Sequence, residues 1–176
     1  MFDATLGEVA TIRDYRPGDA PALWTLSTLP NVGHTADATV PIELPAARAA
    51  PSQFADLADI PAHFIGPGGV FLVAEHHGHP VGMGGFRPNS RGQAEVLRVR
   101  IHPALRRTGV GRALMEGLES RAADHGFREM SLDTATNMPE AMAFYRALGY
   151  RETARETRPE WTWTLVYYTK QLFPAQ

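Results

Sequence analysis

The chain of 176 residues is 44% hydrophobic and 20% charged, proportions that fit one soluble globular domain with room for a substantial core. It contains no cysteine, which excludes disulfides, thiolate metal sites and a cysteine nucleophile, and makes a reducing cytoplasmic interior the expected compartment. The net charge of −2 is unevenly spread: three arginines face nine acids in residues 1–86, whereas thirteen arginines and one lysine face ten acids in residues 87–176. That asymmetry predicts a polyanionic ligand for the second half, while the mildly acidic whole argues against nucleic acid.

No apolar run approaches the ~20 residues of a membrane span, so no membrane partner is expected. Met1 to Asp14 carry acids and no apolar run, unlike a signal peptide. Thr11 to Tyr15 alternates and predicts a short strand. Asp19 is placed to cap a helix from Ala20 to about Leu29 that buries Leu23, Trp24 and Leu26. Residues 30–67 are broken by Pro30, Pro41, Pro45, Pro51, Pro61 and Pro67, and only about residues 52–60, with Phe54, Leu57 and Ile60, read as a short amphipathic helix. A loop-rich stretch of this length in a compact domain is usually functional.

Val70 to Glu75 and Pro80 to Phe86 read as a hairpin turning at His76-His77-Gly78-His79. Neighbouring strand residues face opposite ways and no carboxylate spacing completes a ligand set, so these histidines predict a polar turn and no metal. Gln93 to Ile101 supplies the next antiparallel strand, with aliphatic residues alternating against Arg98 and Arg100, and Pro103 stops the pairing. From Val110 the period changes to four: Val110, Leu114, Leu118 and Ala122 form one helical stripe, and Gly126 beyond His125 is the expected left-handed cap. Arg128 to Leu132 reads as a strand, Pro139 to Leu148 as a helix with Gly149 past its end, and Trp161 to Tyr168 as a final alternating strand. Strands and helices in this order predict an α+β fold around a mostly antiparallel sheet.

Between strand and helix lies Arg106-Arg107-Thr108-Gly109-Val110-Gly111-Arg112. Its glycines let backbone N–H groups approach a ligand closely, and the helix behind it offers unpaired donors and a positive dipole end. With three permanently charged guanidiniums this reads as a pyrophosphate cradle, although a plain glycine-containing turn has the same local sequence.

Three segments in register resemble the GNAT acetyltransferase superfamily. Arg106-x-x-Gly109-x-Gly111 is similar to its motif for the pyrophosphate of acetyl-coenzyme A; Glu95 stands eleven residues earlier; and Asn137, Ala141, Tyr145, Gly149 and Tyr150 resemble its second coenzyme segment. The resemblance covers about residues 11–172. It implies a single domain with a mixed, mostly antiparallel central sheet of about six to seven strands flanked by helices, in which residues 30–67 form the variable acceptor side. It further implies an N-acetyltransferase that moves an acetyl group directly from acetyl-CoA to a primary amine of a small molecule or peptide, with a homodimer left open. A non-catalytic acyl-CoA-binding or regulatory module is the alternative.

The site residues it implies are Glu95 and Tyr145 for catalysis, and Val99, Arg100, Ile101, Arg106, Arg107, Thr108, Gly109, Val110, Gly111, Arg112, Asn137 and Tyr145 for the coenzyme. Attack requires a neutral amine, so a base must remove its proton; Glu95 is the candidate, against a solvated edge glutamate or a water chain. The Val99 N–H is the expected donor to the thioester oxygen, and the main chain of Val99 to Ile101 would pair with the pantetheine amides. Tyr145 would protonate the departing thiolate, yet it shares a helix face with Ala141, Phe144 and Leu148 and suits a core role equally. Asn137 either contacts the coenzyme or caps the helix. Without cysteine an acetyl-thioenzyme is excluded, which favours direct transfer.

Overall fold

A computed structural model of the chain describes residues 9–30 and 36–173, so that residues 1–8 of the acidic segment from Met1 to Asp14 lie outside the described residues. Seven strands form one sheet in the order β1-β2-β3-β4-β5-β7-β6: β1 Thr11–Asp14, β2 Val70–His76, β3 His79–Pro88, β4 Ala94–Ile101, β5 Glu129–Ala135, β6 Arg151–Glu156 and β7 Leu165–Gln171. Every neighbouring pair is antiparallel except β4 with β5. Among the described residues three α-helices cover the sheet: α1 Ala20–Thr28, α2 Val110–Asp124 and α3 Pro139–Ala147.

The period-four stripe of α2 is what attaches it. Val110, Leu114, Leu118 and Ala122 are all 0–1% exposed. The last three pack with Val96, Met130, Leu132, Val166 and Tyr168 on one face of the sheet, and Val110 packs with Ala74 and Val81; full burial of each leucine contributes on the order of 2 kcal/mol. Gly126 takes φ 86°, the left-handed value that the cap position needs. The opposite face carries Phe71, Val73, Met83 and Leu97, covered by Leu23 and Leu26 of α1 and by Leu57, Ile60 and Phe64. The strand residues under that second cover come from β2, β3 and β4. Ser131, Tyr167 and Thr169 on β5 and β7 border an open cavity instead.

Four expectations change. The segment at 52–60 is a 3-10 helix, Ser52–Asp59, kinked at Phe54 (φ −127°, ψ 57°) and continued by a π-turn over Pro61–Ile65. Asp19 does not cap α1; its carboxylate is taken by the Arg13 guanidinium at 2.8 Å and the Arg16 N–H at 2.8 Å. Trp161 and Trp163 precede the last strand and stack on each other, ring centroids 4.2 Å apart, because two large rings gain more from facing one another than from alternating. Finally β6, Arg-Glu-Thr-Ala-Arg-Glu, is a strand that its charged, exposed sequence gives no apolar pattern to reveal; it exists because β7 pairs with it.

The irregular stretch between α1 and β2 is tied down by long-range bonds. Trp24 Nε1 donates to the Leu57 carbonyl at 2.7 Å, Thr25 Oγ1 to the Pro45 carbonyl at 2.5 Å, and the Asp37 N–H to the Pro103 carbonyl at 2.9 Å. Chain without its own ladder must satisfy its backbone groups in such ways.

Candidate active site

Among the described residues, strands β4 and β5 are the only parallel neighbours, and they pair only at Ala94–Met130 and Glu95–Ser131. Beyond that point β4 runs on to Ile101 and β5 to Ala135 without pairing, so the sheet opens between them. A bulge adds to the opening. Leu97 pairs with Gly85 and Arg100 with Met83, leaving Arg98 and Val99 opposite Gly84, and Arg98 takes φ 61°. An inserted residue drops out of the ladder and flips the alternation beyond it. Val96, Val99 and Ile101 consequently pack toward α2, whereas simple alternation would have set Val96 apart from the other two.

The opening leads into a cavity of about 560 Å³ lined by Val99 and Ile101 of β4, Arg106, Arg107, Gly109, Gly111 and Arg112 at the start of α2, and Glu140 to Tyr145 of α3, with Met142 excepted. Gly109 is the residue before α2 and takes φ 93°, a conformation that costs a residue with a Cβ about 1–2 kcal/mol. A Cβ on Gly111 would lie 3.2 Å from Phe144 Cζ, so the glycine keeps this wall of the cavity thin. Arg107 and Arg112 reach the cavity from the helix start, where backbone donors and the dipole favour an anion. Arg106 donates to the Pro30 carbonyl, and burial pulls its pKa down. Thr108 turns its hydroxyl back onto the Leu105 carbonyl. Thr108, Val110 and Asn137 do not line the cavity, and the N-cap position of α3 is held by Met138, with no side-chain capping bond.

Tyr145 lines the same cavity and packs edge-on to Tyr150, centroids 5.8 Å apart. Burial pushes its pKa up to about 12, with Arg100 opposing the rise and Asp133 adding to it. Its hydroxyl therefore stays protonated at neutral pH, the state a proton donor needs.

Glu95 lies on the other side of the opening. It borders a second cavity, about 430 Å³, together with Asn89, Ser131, Asp133, Thr153 and Tyr167. Asp133, which the predicted strand ending at Leu132 stopped short of, shares it. Its pKa is raised by burial first and by the Glu95 charge second, while Arg98 opposes. The alternation of Met130 and Leu132 inward with Ser131 and Asp133 outward was legible in the sequence; that the outward pair would face Glu95 was not.

A further residue that the sequence pattern does not single out is His102, fully buried. Its Nδ1 accepts from the Ala104 N–H at 3.0 Å and its Nε2 meets the Pro41 carbonyl at 2.7 Å, which fixes the neutral Nε2–H tautomer. Burial lowers its pKa. Among the described residues no group of three or more His, Cys, Asp or Glu side chains comes together, and no helix is long and apolar enough to cross a membrane.

The family model described as the acetyltransferase (GNAT) family matches residues 37–150, the interval that contains the bulged strand, the cradle and Tyr145. The chain belongs to the GNAT acetyltransferase family. Among curated relatives it is 28% identical over 120 residues to N-acetyltransferase 8 of Homo sapiens, covering 65% of this chain and 53% of that protein. It is 33% identical over 92 residues to an L-2,4-diaminobutyric acid acetyltransferase of Nocardia farcinica, covering 51% and 48%. The chain thus spans about half the length of the curated relatives it matches. Among solved structures, YncA of Salmonella typhimurium with its cofactor acetyl-CoA superposes with a TM-score of 0.72 at 22% identity, covering 95% of this chain and 96% of that one. Ard1 of Thermoplasma volcanium gives 0.71 at 21%, covering 94% and 99%. At these identities the structures establish a shared fold.

Proposed function

We propose that the protein transfers an acetyl group from acetyl-CoA directly to a primary amine. The observation that carries this reading is the cavity enclosed by the end of β4, the start of α2 and α3, where Arg107, Gly109, Gly111, Arg112 and Tyr145 converge on one space. A ligand lying along it would meet backbone donors and guanidiniums at one end and a protonated tyrosine at the other. The coenzyme supplies an activated acetyl thioester, and the chain binds it, orients it and moves the protons.

The start of α2, from Arg106 to Arg112, holds the pyrophosphate, and the main chain of Val99 to Ile101 pairs with the pantetheine arm. The bulge at Arg98–Val99 removes a residue from the ladder, so a β4 N–H is available to the thioester oxygen as charge develops on it. Glu95 takes the proton from the attacking amine. A nitrogen–carbon bond forms, the carbon–sulfur bond breaks, and Tyr145 gives its proton to the thiolate. Asn137 and Thr108 are assigned to the outer rim of the coenzyme site. Cytoplasmic residence and an acceptor among small-molecule or peptide amines belong to the same reading, and two names lie within that range: the diaminobutyric acid of one relative and the aminoglycoside 6'-N-acetyltransferase solved with coenzyme A.

The test is thiol release from acetyl-CoA across a panel of amines, with acetyl-CoA affinity measured by calorimetry. Tyr145→Phe is expected to lower kcat by about 100-fold, the scale of a positioned general acid, and to leave the affinity within about twofold. Equal turnover in that variant would make Tyr145 a packing residue and overturn its assignment.

A further inference from the structure

The face of the sheet away from α2 carries an imbalance of charge that the transfer chemistry does not use. Arg98 and Arg100 both lie against the Phe54 ring, their guanidinium carbons 4.8 and 5.4 Å from its centroid. Arg98 is satisfied: its Nε and Nη2 donate to the two oxygens of Asp56, each at 3.0 Å. Arg87 also approaches Asp56, at 3.8 Å. That carboxylate already answers two guanidiniums, and Arg100 has no carboxylate partner among the described residues. Burial lowers the Arg100 pKa and the charge of Arg98 adds to this, yet a guanidinium remains charged at neutral pH. A half-buried cation flanked by a second cation is a standing electrostatic cost that an anion would relieve.

The counterion is not accounted for by the coenzyme cavity. Val99 and Ile101 line that cavity and Arg100, between them, does not; its side chain leaves the strand on the Phe54 side. At the other end of the acceptor face, Glu95 and Asp133 border their cavity, and their carboxylates make no ion pair or hydrogen bond with the side chain of any described residue. Tyr145 feels the charges of both Arg100 and Asp133, so the cationic and anionic ends flank the reacting centre.

We infer that the acceptor is an aminocarboxylate, an amino acid or the end of a short peptide, whose ammonium is drawn to Glu95 and Asp133 and whose carboxylate is received by Arg100. The inference rests on the acetyltransferase reading and narrows it, because a polyamine or aminoglycoside would present only cations to Arg100. Arg100 acts here as a specificity residue, and its planar fork suits a carboxylate held by two parallel bonds.

The experiment compares acetyl-CoA turnover with a set of L-amino acids, L-2,4-diaminobutyrate included, against the α-carboxamide of each. Diamines and an aminoglycoside run in parallel. The free acids are expected to exceed their amides in kcat/KM by at least about tenfold, the size of one charge-assisted pair. Arg100→Gln should erase that preference, with the loss falling on KM for the acids more than on kcat, and Arg100→Lys should restore part of it. Amides used as well as acids would overturn the inference, as would an Arg100→Gln variant whose main loss is acetyl-CoA affinity. Release with diamines or the aminoglycoside but not with any carboxylated acceptor overturns the inference alone. Failure of the wild type to bind acetyl-CoA overturns the acetyltransferase reading beneath it.

Discussion

Strand β4 separates the flank proposed to hold the cofactor (the cofactor flank) from the flank proposed to receive the acceptor (the acceptor flank), and the two are built differently. The cofactor flank comes from a few continuous pieces: Val99 and Ile101, the turn and first residues of α2, and one face of α3. Its donors are largely backbone groups at a helix start, whose placement comes with forming the helix. The acceptor flank is assembled from distant pieces. Asp56 meets Arg98 across 42 residues, Pro41 meets His102 across 61, and Leu57 meets Trp24 across 33. Its segments between α1 and β2 have little regular structure, so their shape depends on these bonds and on Phe54, Leu57 and Phe64 packing under the sheet. A ligand shared by all members of a family can be met by backbone geometry, whereas a ligand that differs needs side chains brought from elsewhere.

The contrast between the flanks is broken most directly on the cofactor side. Gly111→Val places branches where even a Cβ would lie 3.2 Å from Phe144 and fills the cavity wall. Acetyl-CoA affinity by calorimetry should fall by at least about 100-fold, equivalent to about 2.7 kcal/mol, with the far-ultraviolet circular dichroism retained. Retained affinity would mean that the cavity is not the coenzyme site.

The acceptor flank should answer in stability instead. Asp56→Ala leaves the Arg98 guanidinium, 26% exposed, without its bidentate partner, and urea denaturation should show a loss of about 2 kcal/mol, below the full penalty of a buried pair because solvent reaches Arg98. Acetyl-CoA affinity should stay unchanged. A drop in that affinity would show that the two flanks are coupled.

His102 gives the acceptor flank a pH dependence. Its folded pKa lies below the ordinary value near 6.5, so the unfolded chain takes up a proton before the folded one does. Its contribution is fully present above pH 6.5 and is lost as pH falls through the lowered folded value. The urea midpoint of the wild type should therefore drop more steeply below about pH 6.5 than that of His102→Asn. Equal slopes would remove His102 from the account.

The smallest effect serves as a control on the cofactor flank. Arg112 and Glu116 approach at 3.8 Å on the exposed side of α2, both more than half exposed. Glu116→Ala should change stability by no more than about 0.5 kcal/mol; a larger loss would mean that α2 is held by its surface charges as well as by its buried stripe.

For the strand, turn and helix of the proposed cofactor flank, local sequence was enough to give the elements. The switch from period two to period four around Pro103, the glycines at 109 and 111 and the stripe from Val110 to Ala122 are properties of consecutive residues, and backbone sterics and helix geometry turn them into a strand, a turn and a docked helix wherever they stand. The rest was settled by packing in three dimensions. The bulge at Arg98 arises where β4 lies against Gly84 of β3, and it brings Val96 to the face of Val99 and Ile101, from which strict alternation would have parted it, while Arg98 and Arg100 stay on the opposite face. Strand β6 is made by its partner, Trp161 and Trp163 stack where a pleat was expected, and Asp19 serves Arg13 where a cap was expected. Asp133, Asp56 and Arg100 gain their meaning from neighbours tens of residues away. Periodicity records which side chains of one segment share a face, but the segment that will cover that face, and the charge it brings, depends on contacts among elements that the local pattern does not encode.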